Sequence, residues 1–125
     1  MLGDKSAAAN VAVRNLAVAR NFYEGTLGLA PIETMGEHLV AYRSGSSTLL
    51  VYVSQYAGTN KATAVTWTVG PDVEGVARAL KAKGVKFEHY DLPDTRHEGD
   101  VHVSGDIKVA WFKDPDGNIL NVVSR

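Results

Sequence analysis

Three histidines crowd the second half of the chain: His89, His97 and His102, with Glu98 and Asp100 beside them. Imidazole titrates near neutral pH, so a histidine here could move a proton, with Tyr90 as its partner. That pairing makes His97 and Tyr90 the catalytic candidates. The spacings match no tetrahedral zinc pattern. The other side chains with chemical reach are aromatic or neutral polar. Trp111 and Tyr42 could form flat walls for a planar or apolar ligand. Asn10, Thr66, Thr68 and Asn121 could supply hydrogen bonds. Asn121 interrupts the last apolar strand, ILNVV, directly after the turn sequence DPDGN. Nucleophile elbows, phosphate loops, dinucleotide fingerprints and paired carboxylates are all missing from the sequence.

The elements that must hold these residues occur twice. Residues 8–13 form a short apolar segment. Asn15 caps a helix with Leu16, Ala19, Tyr23 and Leu27 on one face, and Gly28 closes it. Strands follow at 31–35, 38–43 and 48–54, the last two separated by a Ser44-Gly45-Ser46-Ser47 turn. The same order returns with a strand at 64–69, a helix started by Pro71-Asp72 and carrying Val73, Val76, Ala77 and Leu80, and Gly84 at its end. Strands at 85–90, 107–112 and 118–123 complete it. Val13 aligns with Val69, Gly28 with Gly84, Val40-Ala41-Tyr42 with Val109-Ala110-Trp111, and Leu50 with Leu120. The extra length in the second copy is a polar, glycine-containing segment at 91–106, long enough for a lid.

This is one α+β domain over residues 1–125, built of two βαβββ modules at about 6–56 and 62–125. Side chains alternate between sheet faces. The alternation assigns Val11, Val13, Leu50, Tyr52, Val65, Trp67, Leu120 and Val122 to the helix side. It assigns Asn10, Val51, Thr66, Thr68 and Asn121 to the other, smaller and more polar, side.

The stretch NLAVARNFYEGTLGL (15–29) resembles the first helix of the vicinal oxygen chelate superfamily, and WFKDPDGNIL (111–120) resembles its final hairpin. That superfamily includes glyoxalase I, extradiol dioxygenases and bleomycin-resistance proteins. The resemblance spans essentially the whole chain. It implies that the two modules form open, curved mixed sheets around a cavity, where many members hold a divalent metal on His and Glu side chains. It also implies where those ligands would fall: Ala8, Ala64, Val51 (within a residue) and Asn121. Alanine and valine cannot ligate a metal, and an Asn carbonyl is a weak neutral ligand. No metal and no cofactor are therefore expected.

Bulk composition excludes several partner classes. The 125 residues are 45% apolar and 22% charged, with a formal net charge of −1 and no long block of either sign. This disfavours nucleic acid and anionic membrane. The absence of cysteine removes disulfides and thiolate chemistry, and a cytoplasmic location is expected. No apolar run approaches membrane-spanning length. The favoured expectation is a metal-independent protein that binds a small hydrophobic or aromatic molecule among Asn10, Tyr42, Thr66, Thr68, Trp111 and Asn121, and the family resemblance implies a homodimer. The alternative is a glyoxalase- or dioxygenase-like enzyme using a non-standard metal site or His97/Tyr90 acid–base chemistry. The third option is a module with a vestigial groove.

Overall fold

A computed structural model describes residues 1–124. The first module runs β1 (Ala9–Val13), α1 (Leu16–Arg20) continuing directly into a π-helical segment (Asn21–Thr26), β2 (Ala30–Met35), β3 (Leu39–Ser44) and β4 (Ser47–Val53). The second runs β5 (Thr63–Thr68), α2 (Val73–Ala82), β6 (Phe87–Glu88), β7 (Arg96–Glu98), β8 (Val101–Ser104), β9 (Ile107–Lys113) and β10 (Ile119–Val123). Each module's first strand pairs parallel to its last, giving one sheet in the order β1-β4-β3-β2 and another in the order β5-β10-β9-β8-β7, with β6 also on β9. The two sheets approach each other at β1 and β5. Among the described residues no helix is long and apolar enough to cross a membrane.

Local chemistry sets the boundaries. Asn15 Oδ1 accepts from the Val18 N–H and Asp72 Oδ1 from the Gly75 N–H, so both helices begin on side-chain caps. Gly117 takes φ 88° in the turn between β9 and β10, a conformation that costs glycine nothing. The 91–106 segment is a correction to the reading as an open loop. It carries the β7–β8 hairpin, and β8 joins the sheet through His102↔Val109 and Ser104↔Ile107.

One core lies between the sheets and the helices. Val11, Val13, Val40, Tyr42, Leu49 and Val51 enter from the first sheet, and Val101, Val103, Ala110, Phe112, Leu120 and Val122 from the second. Leu16, Ala19, Tyr23, Val73 and Ala77 close it from the helices. The face assignment is therefore right for β1, β5 and β10 and one residue out for β3 and β4. Leu49 and Val51 are core, whereas Leu50 and Tyr52 take the opposite face, Tyr52 being exposed. Tyr42 is fully buried on the helix side, stacked on Tyr23 with ring centroids 6.2 Å apart. Its hydroxyl donates to Glu24 Oε2 at 2.8 Å. Burial and the neighbouring carboxylate push the Tyr42 phenol well above its ordinary pKa, so it is a neutral core donor and not a cavity wall. Its structural counterpart in the second module is Phe112, since Tyr42 pairs with Leu49 and Phe112 with Leu120.

The modules are tied by reciprocal polar contacts. Asn118 Nδ2, in the β9–β10 hairpin, donates to the Ala12 carbonyl of β1 at 2.8 Å. Ser44 Oγ, at the end of β3, accepts from Trp67 Nε1 of β5 at 2.9 Å. Behind the first contact sits Asp114, a buried carboxylate. It accepts from Tyr23 Oη, the Asp116 and Asn118 N–H groups and Asn118 Nδ2, at 2.7–2.9 Å. Arg14 Nη1 reaches Asp116 at 3.0 Å, and Arg14 Nη2 donates to the Ala57 carbonyl at 2.9 Å. Gly58 then passes so close that a Cβ would lie 2.1 Å from the Asp116 carbonyl oxygen. Deleting one donor tests this anchor. Tyr23→Phe is expected to lower unfolding free energy by about 1–2 kcal/mol, read as a lower urea midpoint with an unchanged m-value.

Candidate functional site

The face of the second sheet that turns away from the helices holds the candidate site. Leu120 and Val122 go to the core, so Asn121 between them points the other way. The same parity places Trp111 between Ala110 and Phe112, Thr66 between Val65 and Trp67, and His102 between Val101 and Val103. Register aligns them: Thr66 pairs with Asn121, Asn121 with Trp111, and Trp111 with Glu88 of β6. A register shift at Ile119/Leu120 brings the rest of β10 into this alignment with β5.

Asn121 is the most informative residue of the row. Only 7% of it is exposed, and its buried Oδ1 has no hydrogen-bond partner. Trp111 Nε1 donates to Thr63 Oγ1 at 3.1 Å. Thr63 lies on the far side of β10, so the indole crosses above that strand. Tyr90 meets the indole edge-on at 5.4 Å and His102 at 4.9 Å. Thr66 and Thr68 remain exposed. They border a cleft of about 650 Å³ between β5, the start of β1 and the β3–β4 hairpin, lined also by Ala7, Ala9, Ser44 and Thr48. Among the described residues no charged side chain lines it. Asn10 is exposed, with Nδ2 directed to the Ala8 carbonyl at 3.4 Å, and is in register with Leu50 on the first sheet. It therefore stands apart from the Thr66–Asn121–Trp111 row.

The histidines form a packed group beside Trp111. His97 lies 4.6 Å from His102 and 5.5 Å from His89, centroid to centroid. The Tyr90 backbone is held at both ends: its N–H donates to His102 Nε2 at 2.9 Å, and its carbonyl lies 3.0 Å from His97 Nε2. His102 must therefore be unprotonated at Nε2. It is buried. Desolvation, with His97 next, lowers its pKa below the ordinary imidazole value. His89 Nε2 sits 2.9 Å from Asp100, and His89 together with Lys81 holds that carboxylate below its usual range. Among the described residues no three His, Asp or Glu side chains converge as a metal-ligand set. His97 and Tyr90 do meet, but through the Tyr90 backbone carbonyl. The acid–base pair expected between their side chains is not formed.

Sequence reasoning missed two residues, His102 as the buried member of the group and Thr63 as the anchor of the indole. The alternation in VHVSG, apolar on either side of His102, was the available signal for the first. Nothing in the sequence singles out Thr63.

The fold and this face define a vicinal oxygen chelate-type protein, two βαβββ modules with helices on one side and an open sheet face on the other. The family model for the glyoxalase/bleomycin resistance protein/dioxygenase superfamily matches residues 5–122, and the chain belongs to that superfamily. An integron cassette protein from the mobile metagenome of a Halifax Harbour sewage outfall is similar in structure. It has 18% identity and a TM-score of 0.73, covering 98% of this chain and 99% of that one. Lactoylglutathione lyase from Agrobacterium tumefaciens gives 17% identity and a TM-score of 0.73, with 99% and 96% covered. A virulence protein from Salmonella typhimurium gives 17% identity and a TM-score of 0.67, with 99% and 98% covered. At these identities the likeness shows the fold. No curated protein matches the chain in sequence.

The residues onto which the resemblance carries the superfamily's metal-ligand positions do not have the side chains to hold a metal. Ala8 and Ala64 carry no donor atom. The third position, expected at Val51, falls on Leu50, because Val51 is core and Leu50 is its open-face neighbour. Asn121 alone offers an oxygen, and it is neutral.

Two measurements follow. Asn121→Leu removes an unpaired buried acceptor, whose burial costs about 1–3 kcal/mol. The variant is expected to melt several degrees higher than wild type by scanning calorimetry. His102 has a folded pKa below its unfolded value of about 6.5, so it binds more protons when unfolded. Its contribution is complete above that pH and is lost as pH falls toward the folded pKa. Urea titrations between neutral and mildly acidic pH are expected to show wild type losing stability relative to His102→Gln, which keeps an acceptor for the Tyr90 N–H.

Proposed function

We propose that this chain binds a small organic molecule without a metal, at the open face formed by Thr66, Asn121 and Trp111 and the adjoining cleft beside β5. One observation carries the reading. Three of the four superfamily ligand positions hold hydrocarbon side chains, and the fourth is an amide whose Oδ1 is buried and unpaired. A desolvated polar atom with no partner inside the protein is suited to a partner from outside. The cleft's volume of about 650 Å³ is in the range of small-molecule sites. Hydroxyls of Ser44, Ser47, Thr48, Thr66 and Thr68 supply polar contacts around the small side chains of Ala7, Ala9 and Ala64.

The lyase activity named for the Agrobacterium relative finds no support in these side chains. Ala8, Leu50 and Ala64 can neither ligate nor transfer a proton, and His97 is engaged with a backbone carbonyl. Metal analysis tests the proposal. Protein purified without chelator, then incubated with Ni²⁺, Zn²⁺, Fe²⁺ or Mn²⁺ and desalted, is expected to hold no stoichiometric metal and to keep its Tm. Stoichiometric retention with a raised Tm that disappears in Asn121→Leu would overturn it.

A further inference from the structure

Granting that reading, we propose that the ligand is an uncharged planar molecule that presents a carboxamide-like edge, an N–H beside a C=O, to the Asn121 side chain. A primary amide carries an acceptor and a donor side by side, and its geometric complement is another donor–acceptor pair at the same spacing. Oδ1 of Asn121 is buried without a partner, so the ligand must bring the donor. A ligand with acceptors alone would leave that oxygen as it is now, at full desolvation cost.

Charge complementarity argues for a neutral ligand. The residues in register with Asn121 are Thr66 and Trp111. The nearest carboxylate along the row, Glu88, is opposed by Lys113 Nζ at 3.4 Å. Among the described residues, no charged side chain lines the cleft bordered by Thr66. A charged ligand would lose its hydration there and gain no counter-ion. The indole favours a flat ligand. It is held over β10 by Thr63 Oγ1 and abutted edge-on by Tyr90 and His102, which leaves it available for stacking once it moves off Asn121. The body of the ligand then occupies the cleft beside β5, and its edge reaches Asn121 past Thr66. Binding therefore breaks the Trp111–Thr63 hydrogen bond.

Three probes of similar size separate the possibilities: benzamide, with donor and acceptor; methyl benzoate, with acceptors only; and toluene, with neither. Each is titrated into ¹⁵N-labelled full-length protein while the Trp111 indole N–H and the Asn121 side-chain amide signals are followed. Benzamide is expected to shift both signals and to saturate them at a concentration about tenfold below that of the other two, a difference of about 1.4 kcal/mol. In Asn121→Leu, first checked to fold and expected to melt above wild type, the three probes are expected to become equal. Equal binding of all three to wild type, with the Trp111 signal shifted, would overturn the amide-edge inference and leave the binding function standing. A benzamide preference that survives Asn121→Leu would overturn it as well. If no probe perturbs either signal, the binding function fails and this inference fails with it.

Discussion

The Asp114 carboxylate is the point on which the architecture depends. It sits in the turn before β10 and takes hydrogen bonds from that turn's own backbone, from Asn118 and from Tyr23 of the first module's helical segment. A buried carboxylate with so many donors is well compensated, and removing any one of them leaves an acceptor site on it unmatched. Asn118 passes the constraint on to the Ala12 carbonyl of β1. A single turn sequence therefore fixes the start of β10, the seat of the first helix and the approach of the two sheets. With β10 fixed in this way, Asn121 has no alternative to the open face.

Two of the buried polar side chains on or beside β10, Asp114 and Asn121, are handled in opposite ways. Asp114 is saturated, while Asn121, a few residues on, has an oxygen with no partner. Leucine at position 121 would pack in the same space with no unpaired oxygen, as Leu50 does at the corresponding place on the first sheet. The retained amide therefore lowers stability, and sites that lower stability without a structural return are where binding tends to reside. The first module shows the contrast: among the described residues its open face carries Leu50 and Tyr52 and no buried polar side-chain atom without a partner.

How much was legible in the sequence depended on whether one sheet face differed chemically from the other. In TAVTWT and ILNVV apolar and polar residues alternate, so the period of two assigned Thr66, Trp67 and Asn121 correctly. VAY and LLVYV are apolar at nearly every position, and no alternation exists to set parity. The repeat alignment then decided the matter and slipped by one residue, which carried Tyr42 and Val51 to the wrong face. The β7–β8 hairpin was unreadable for a different reason. Arg96, His97 and Glu98 are exposed and polar, so this strand exists because a neighbour pairs with it and not because its own pattern demands burial.

The same hairpin changes what the histidines mean. On an open loop, His97 could swing over a cavity as a proton carrier. Paired in β7, it instead holds the Tyr90 carbonyl while His102 holds the Tyr90 N–H. Tyr90 in turn stands edge-on to Trp111, the ring that crosses above Asn121. His97 and His102 are therefore linked to Trp111 through the position of Tyr90. Protonating His102 at Nε2 would remove the acceptor of the Tyr90 N–H and loosen the seat of the indole. The histidine cluster and the Asn121 amide, which the sequence presents as separate features, meet at Trp111.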